Sequence, residues 1–303
     1  LNKQNDEYMK ESQEDSMIIV TGANGHLGRA VVENLLELVP AEQLGVSVQD
    51  TEKARDLEQR GVRVRRGDFD DAASLAHAFE GASQVLIVSA PRLGEQALRQ
   101  HRTAIDTAKA AGAQRILYTS QMAANPASPF APAPDHAATE AALRESGVAF
   151  TALRNGYYAS SALMLLGSAT QTGEAVAPED GPVAWTAHAD LARATAITLA
   201  KGGLDGITPA LTGSEALDLA GVAEIVSEVT GRPIRRVVVS DEEFRSRLVA
   251  QGSPESMANM YLGYFAASRQ GEFANVDPTL ARLIGRPPLT LRDVLKATLP
   301  TGR

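Results

Sequence analysis

The sequence predicts an α/β chain: a doubly wound parallel sheet with a smaller, mostly helical C-terminal lobe. From Met17 onward, short β-branched runs alternate with helical patterns, the rhythm of a parallel sheet with crossover helices. The first run opens into a turn with three glycines at spacing three and three, and an amphipathic stretch follows it. Beyond Asn155 the rhythm loosens and helical patterns take over.

In chain order, strands are expected at Met17–Thr21, Leu44–Val48, 62–66, 85–89, 115–119 and 150–154. Between them, apolar residues recur at three- and four-residue spacing. Leu27, Val31, Leu35 and Leu38 form one helix face, and Ile105, Ala108 and Ala111 belong to another. The stretch 167–182, rich in Gly, Ala and Thr, reads as loop and short strand, and 190–200 reads as a helix. After Gly213 come three helix candidates and one β-branched run at 235–239. Trp185 and the set Met257, Met260, Tyr261, Tyr264 and Phe265 have the spacing of core residues, with a pocket lid as the second reading.

This pattern divides the chain into a nucleotide-type domain over 17–155, with 184–212 returning to it, and a smaller substrate lobe over 156–183 and 213–303. No internal repeat or low-complexity linker separates them, so the cleft between the two lobes is the expected ligand site. Residues 1–16 are polar and lack apolar periodicity. They read as a flexible leader or a cloning remnant, with Met17 as the natural start.

Composition narrows the chemistry. The 303 residues include no cysteine, which excludes disulfides, thiolate metal sites and a cysteine nucleophile. Five scattered histidines show no ligand spacing, so no metal site is expected. The net charge of −8 and the dispersal of the basic residues argue against nucleic acid as a ligand. No apolar run approaches the roughly 18 residues needed to span a bilayer. The expectation is a cytoplasmic protein with a small-molecule partner and no membrane association; homo-oligomerisation stays open.

The strongest local signal is the segment Thr21-Gly22-Ala23-Asn24-Gly25-His26-Leu27-Gly28. Gly22 permits a sharp turn, Gly25 lets the backbone approach a pyrophosphate, and Gly28 lets helix and strand pack closely. The helix starting near His26 then points free amides and a positive dipole end at the phosphates. His26 is either a phosphate or substrate contact or an exposed loop residue.

Residues at the ends of the next strands are the remaining ligand candidates, because strand ends on this edge line the crevice of a doubly wound fold. Gln49 and Asp50 close the second strand. Asp50 reads either as a ribose-binding acid or, with Thr51, as a helix cap; Lys53 and Arg55 read as 2′-phosphate contacts or as a solvated face. Asp68 and Phe69 close the third, as an adenine contact or as a cap. Ser89, Ala90 and Pro91 close the fourth, where small residues let the backbone pass close to the nicotinamide-side ribose. Thr119 ends the fifth strand, and Ser120, Gln121 and Met122 are expected at the pocket floor.

Together, TGANGHLG, RGDFDD, KAAGAQRILYTS, DHAATEAALRESGVAFTALRNGYY and GRPPLTL resemble the NmrA-like branch of atypical extended short-chain dehydrogenases. Within it the similarity is strongest to the type 2 NAD(P)H:quinone oxidoreductases and the triphenylmethane reductases, and it runs from Met17 nearly to the C-terminus. The resemblance implies a Rossmann-type fold and an NADP(H)-dependent reductase with its nicotinamide between the lobes. One departure bears on the cofactor: those relatives carry Arg where this chain has Gln49. NADP(H) is favoured, and NAD(H) or dual use stays open, because a neutral amide gives a phosphate a weaker contact than a guanidinium.

Ordinary short-chain dehydrogenases place a Tyr and a Lys four residues apart on the helix after the fifth strand; here that helix reads Pro134-Asp135-His136-Ala137-Ala138-Thr139-Glu140. By resemblance His136 stands for the Lys, positioning the cofactor or donating a proton; on residues alone it pairs with Glu140 on the helix surface. Nothing replaces the Tyr. Asn155, Tyr157 and Tyr158 border the nicotinamide by resemblance, with Tyr157 the second catalytic candidate and the two rings suited to stacking on a planar acceptor. As bare sequence they are interlobe packing, and Arg154 before them reads as a structural anchor.

A site lacking a proton-donating Tyr suits acceptors that take hydride readily. The expected activity is therefore NAD(P)H-dependent reduction of a quinone or another conjugated planar acceptor. The alternative is a non-enzymatic dinucleotide-sensing regulator, and sugar-nucleotide epimerisation is disfavoured without the Tyr–Lys pair.

Overall fold

The computed structural model describes residues 17–299; the leader expected over residues 1–16 lies outside the described residues. The first half of the chain follows the strand–helix alternation. The strands are β1 (Met17–Thr21), β2 (Leu44–Val48), β3 (Arg63–Arg66), β4 (Ala82–Ile87), β5 (Arg115–Gln121) and β6 (Ala149–Asn155). The helices between them are α1 (His26–Leu35), α2 (Arg55–Gln59), α3 (Ala72–Phe79), α4 (Gly94–Ala110) and α5 (Pro132–Ser146).

With a seventh, β10 (Gly206–Ile207), these six strands form a parallel sheet in the order β10-β6-β5-β4-β1-β2-β3, a Rossmann-like arrangement with flanking helices. The chain first winds outward from β1 through β2 to β3, then returns to pair β4 with the other side of β1, so the order reverses between β1 and β4. The seventh strand, β10 (Gly206–Ile207), pairs parallel with β6 at Thr151 and Ala152. Its two residues give no period to read, so the sequence pattern does not announce it.

Beyond β6 the chain forms β7 (Tyr157–Tyr158), α6 (Ser161–Leu166), α7 (Ala169–Thr172), β8 (Glu174–Ala177), β9 (Trp185–Thr186) and α8 (His188–Lys201). After β10 come α9 (Leu219–Thr230), β11 (Arg235–Val238), α10 (Asp241–Ala250), α11 (Glu255–Arg269), α12 (Thr279–Ile284) and α13 (Leu291–Thr298). Two small parallel pairs, β8 with β11 and β7 with β9, complete the set.

The chain separates into two compact units. One comprises the described residues up to Ser120 with Ala138–Leu153 and Ala192–Thr208; the other comprises Gln121–Ala137, Arg154–Leu191 and the described residues from Pro209. The first has a core of Ile19, Phe79, Val85, Ile87, Ile105, Tyr118 and Leu143. The second is built on Phe130, Trp185, Val222, Val226, Tyr264, Phe265 and Phe273.

Several expectations need correction. β4 spans Ala82–Ile87 where 85–89 was expected, because its ladder with β1 starts at Ala82 and the amides after Ile87 bond to side chains instead. Leu38 lies past the end of α1, in the turn that follows, and is only half-buried; Leu27, Val31 and Leu35 are the buried face. Among the described residues, five helices follow Gly213 where three were expected; the two shortest, α12 and α13, span only six and eight residues. Within α11, Tyr264 and Phe265 are core, but Met257 is 44% exposed, so the run is one helix with an inner and an outer face.

The closing GRPPLTL segment has a structural reason. The Asp190 carboxylate is fully buried; it accepts from Arg286 Nη2 at 2.5 Å and from the Leu289 N–H at 2.6 Å. A buried carboxylate needs such partners, and its partners need it. Asp190→Ala is expected to destabilise the protein by about 2–4 kcal/mol in urea unfolding, with Asp190→Asn costing less. Equal stability of Asp190→Ala and wild type contradicts this role.

Candidate functional site

The glycine loop forms where β1 ends. Gly22 adopts φ +66°, a left-handed conformation that L side chains rarely take, and its N–H bonds to Ser47 O on the neighbouring strand at 3.0 Å. The chain then folds back so tightly that Gly25 N–H reaches Gly22 O at 2.9 Å. A Cβ on Gly28 would lie 2.4 Å from Gly22 O, so helix and strand approach closer than any side chain allows. Asn24 Nδ2 donates to Asp50 O at 2.8 Å, tying the loop to the end of β2.

Behind this loop stands α1. Its N-cap, Gly25, supplies no side-chain cap, and its first turn holds no acidic residue. The positive end of the helix is therefore not neutralised from within, while Gly22, Asn24, Gly25 and His26 are exposed. Leu27 and Gly28 are buried against the sheet. An open glycine cradle in front of an uncapped helix fits a pyrophosphate.

Next along the edge, Gln49 and Asp50 are exposed. Asp50 Oδ1 accepts from Glu52 N–H at 3.1 Å, and its Oδ2 lies 3.6 Å from Lys53 Nζ, which is 71% exposed. Asp50 thus closes the short turn after β2, with its carboxylate still reachable. Arg55 pairs with Glu52 on the same surface. At the end of β3, Asp68 Oδ1 accepts from Asp70 N–H at 3.0 Å, and the cap of α3 is Asp71, which accepts from Ser74 N–H at 3.1 Å. Asp68 is therefore not that cap. Phe69 packs half-buried on the core of the first unit.

The loop after β4 is held from behind. Val88 N–H donates to Thr21 Oγ1, Ser89 N–H to Thr119 Oγ1 and Ala90 N–H to His101 Nε2, each at 2.9 Å. Pro91, the next residue, is exposed. His101 Nδ1 lies 2.9 Å from Thr139 Oγ1, and the ring meets Tyr118 edge-on at 5.2 Å. Burial pushes the His101 pKa down from 6.5 to about 4, so the ring is neutral at physiological pH. Sequence reading passed over His101. Its signal was periodic: it lies on the buried face of α4 with Ala104, Ile105 and Ala108.

Ser120 is 2% exposed and donates to Glu140 Oε1 at 2.7 Å. Glu140 is itself 2% exposed, so its carboxylate lies off the helix surface. Burying that carboxylate requires a donor, and Ser120 is one.

The other candidates lie in the second unit. Met122 N–H bonds to Asn155 O at 2.9 Å, Gln121 Oε1 accepts from Ala123 N–H at 2.6 Å, and Asn155 is buried. His136 is half-buried on α5. Arg154 Nη2 donates to Ala124 O at 3.2 Å, the anchoring role expected of it. Tyr157 sits among Phe130, Trp185, Tyr264 and Phe273 with ring centroids 5.0–5.8 Å away. Tyr158 lies against His188 at 4.1 Å. Burial pushes both phenols above their usual range. Trp185 is core, its Nε1 donating to Leu217 O. A cavity of about 390 Å³ in this unit is bordered by Met164, Val176, Phe244, Leu248, Met257 and Tyr261.

A parallel sheet whose strand order reverses at β1, with an open glycine cradle at that reversal, defines a dinucleotide-binding α/β protein. The chain belongs to the NmrA-like family, whose model matches residues 14–284. It is 35% identical to quinone oxidoreductase 2 of Escherichia coli over 91% of this chain and 96% of that protein. It is also similar to the NAD(P)H azoreductase of Xenophilus azovorans, with 32% identity over 93% and 97%. Among solved structures it is similar to the Citrobacter sp. triphenylmethane reductase complexed with NADP(H), with a TM-score of 0.85, 34% identity and coverage of 93% and 100%.

Two measurements probe this site. Gly28→Ala forces a Cβ against the Gly22 carbonyl and is expected to cost roughly 1–3 kcal/mol of stability; an unchanged Tm speaks against the close packing. The second concerns pH. His101 is neutral when folded, but its unfolded counterpart protonates below about 6.5. Its contribution is complete above pH 6.5 and is lost as pH falls toward 4, on the order of 3 kcal/mol in all. The unfolding free energy of His101→Leu should fall less steeply across that window than that of wild type.

Proposed function

We propose that this chain is an NAD(P)H-dependent reductase that transfers hydride to a quinone or another conjugated planar acceptor, with NADPH as the favoured donor. The observation that carries the reading is the open glycine cradle before the uncapped α1, in a chain alike over nine-tenths of its length to reductases of quinones, azo compounds and triphenylmethane dyes. When bound, the nicotinamide supplies the hydride.

The residues of the chain hold and orient. Gly22, Asn24, Gly25, His26, Leu27 and Gly28 surround the pyrophosphate through backbone N–H groups and the helix dipole. Gln49 and Lys53 face the adenine-side ribose and its 2′ substituent, with Asp68 and Phe69 at the base. Ser89, Ala90, Pro91 and Thr119 belong to the nicotinamide half. His136, Asn155 and Tyr157 are assigned to that half by family resemblance, with His136 as the orienting or proton-donating group. Ser120, Gln121, Met122, Tyr157 and Tyr158 are assigned to the acceptor pocket.

An acceptor of this class needs no strong acid. Hydride addition to a quinone gives a delocalised anion, and addition to a cationic dye gives a neutral product, so water can supply the proton the quinone needs. This agrees with α5, which carries no Tyr–Lys pair. The reading also includes a cytoplasmic location, a small-molecule partner and no nucleic-acid ligand.

NADPH and NADH oxidation followed with a panel of quinones, azo dyes and triphenylmethane dyes should give acceptor-dependent turnover. Tight NADPH binding without turnover of any acceptor overturns the enzyme reading in favour of a dinucleotide-sensing regulator. Gln49→Arg should raise the preference for NADPH over NADH by roughly three- to tenfold, the worth of one charged contact. An unchanged ratio removes Gln49 from the 2′-phosphate.

A further inference from the structure

Three consecutive amides after β4 are each captured by a side chain from a different element: Thr21 of β1, Thr119 of β5 and His101 of α4. The third capture differs in kind. A threonine hydroxyl rotates to accept, but an imidazole accepts only on its bare nitrogen. Nε2 receives the Ala90 N–H, so the hydrogen of the neutral ring belongs on Nδ1, where Thr139 Oγ1 lies 2.9 Å away to take it. Both ring nitrogens are thus committed, and Tyr118 fixes the ring from the side.

A histidine that merely filled the core would need volume and a partner for each nitrogen. His101 instead directs its single acceptor out of its own helix to the loop backbone at the carboxyl edge of the sheet, beside the β1–β4 reversal where a doubly wound fold binds ligand. Among the described residues, no turn or loop hydrogen bond ends on the carbonyls of Val88, Ser89 or Ala90. With its amides withdrawn, the loop has oxygen to offer a ligand. Carbonyl oxygen suits ribose hydroxyls and a carboxamide N–H and repels phosphate, the reverse of the glycine loop on the next strand.

We infer that His101, oriented by Thr139, is a positioning residue that locks the 88–90 backbone so that its oxygens meet the nicotinamide half of the bound dinucleotide. The inference rests on the reductase reading above and assigns to two adjacent loops opposite halves of one ligand. Loosening the His101 clamp therefore weakens recognition of that half alone.

The test compares two probes on the full chain, NADPH and adenosine 2′,5′-bisphosphate, which keeps the adenine end and lacks the nicotinamide half. For His101→Leu, NADPH dissociation constants are expected to rise roughly five- to tenfold, the worth of one hydrogen bond, while the bisphosphate changes less than about twofold. Thr139→Val keeps its volume and the imidazole, and is expected to move the same ratio in the same direction by a smaller factor; it decides the matter if His101→Leu does not fold. Equal weakening of both probes, or of neither, overturns the inference. A wild type that binds neither probe overturns the reductase reading itself.

Discussion

In a sheet whose strands all run parallel, every carboxyl end falls on one edge, and the backbone N–H groups beyond the last ladder bond need partners. This constraint shapes the ligand edge of the protein. At β1 the answer is a reversal: Gly22 turns left-handed, bonds to Ser47 O, and delivers the chain into α1 with the helix amides facing outward. At β4 the answer is capture, with Thr21, Thr119 and His101 taking the amides of Val88, Ser89 and Ala90. Adjacent strands thus present opposite chemistry, amide hydrogen on one and oxygen on the other.

The same demand recurs wherever polar groups are buried. Glu140 takes the Ser120 hydroxyl, and Asp190 takes Arg286 and the Leu289 amide. In the second unit Arg236 donates to the carbonyls of Ala175, Ala177 and Val237 and pairs with Asp180 at 3.1 Å; both side chains are largely buried. Burial raises the Asp180 pKa even against that arginine, and the bonds from Arg236 on β11 to Ala175 and Ala177 on β8 brace the β8–β11 ribbon. None of these groups announces itself in a pattern, because each is defined by a partner distant in sequence.

Legibility followed the same line. The sheet strands through β6 and the faces of α1 and α4 could be read because their apolar residues repeat, and the glycine turn because its spacing has one steric use. Short elements escaped: β10 has two residues, and α12 and α13 have six and eight. The β4 boundary moved because the apolar run continues to Val88 while the ladder stops at Ile87. Met257 misled because composition alone does not say which side of α11 is buried. At the site, the cradle residues were legible, but His101 was not, since a lone histidine on an apolar face has no local signature of what it binds.

By itself the sequence determined the class: an α/β chain of the dinucleotide-binding kind, without cysteine chemistry, and without the Tyr–Lys pair of ordinary short-chain dehydrogenases. Those conclusions rest on composition and short-range spacing, which are properties of neighbours along the chain. The tertiary structure decided which polar groups are buried and with whom. It withdrew Glu140 from the helix surface, bound His101 to the loop after β4, and joined Asp190 to the Leu289 amide. The reason is that a hydrogen bond between residues eleven to nearly a hundred positions apart depends on packing, and packing is not written in any window of the chain.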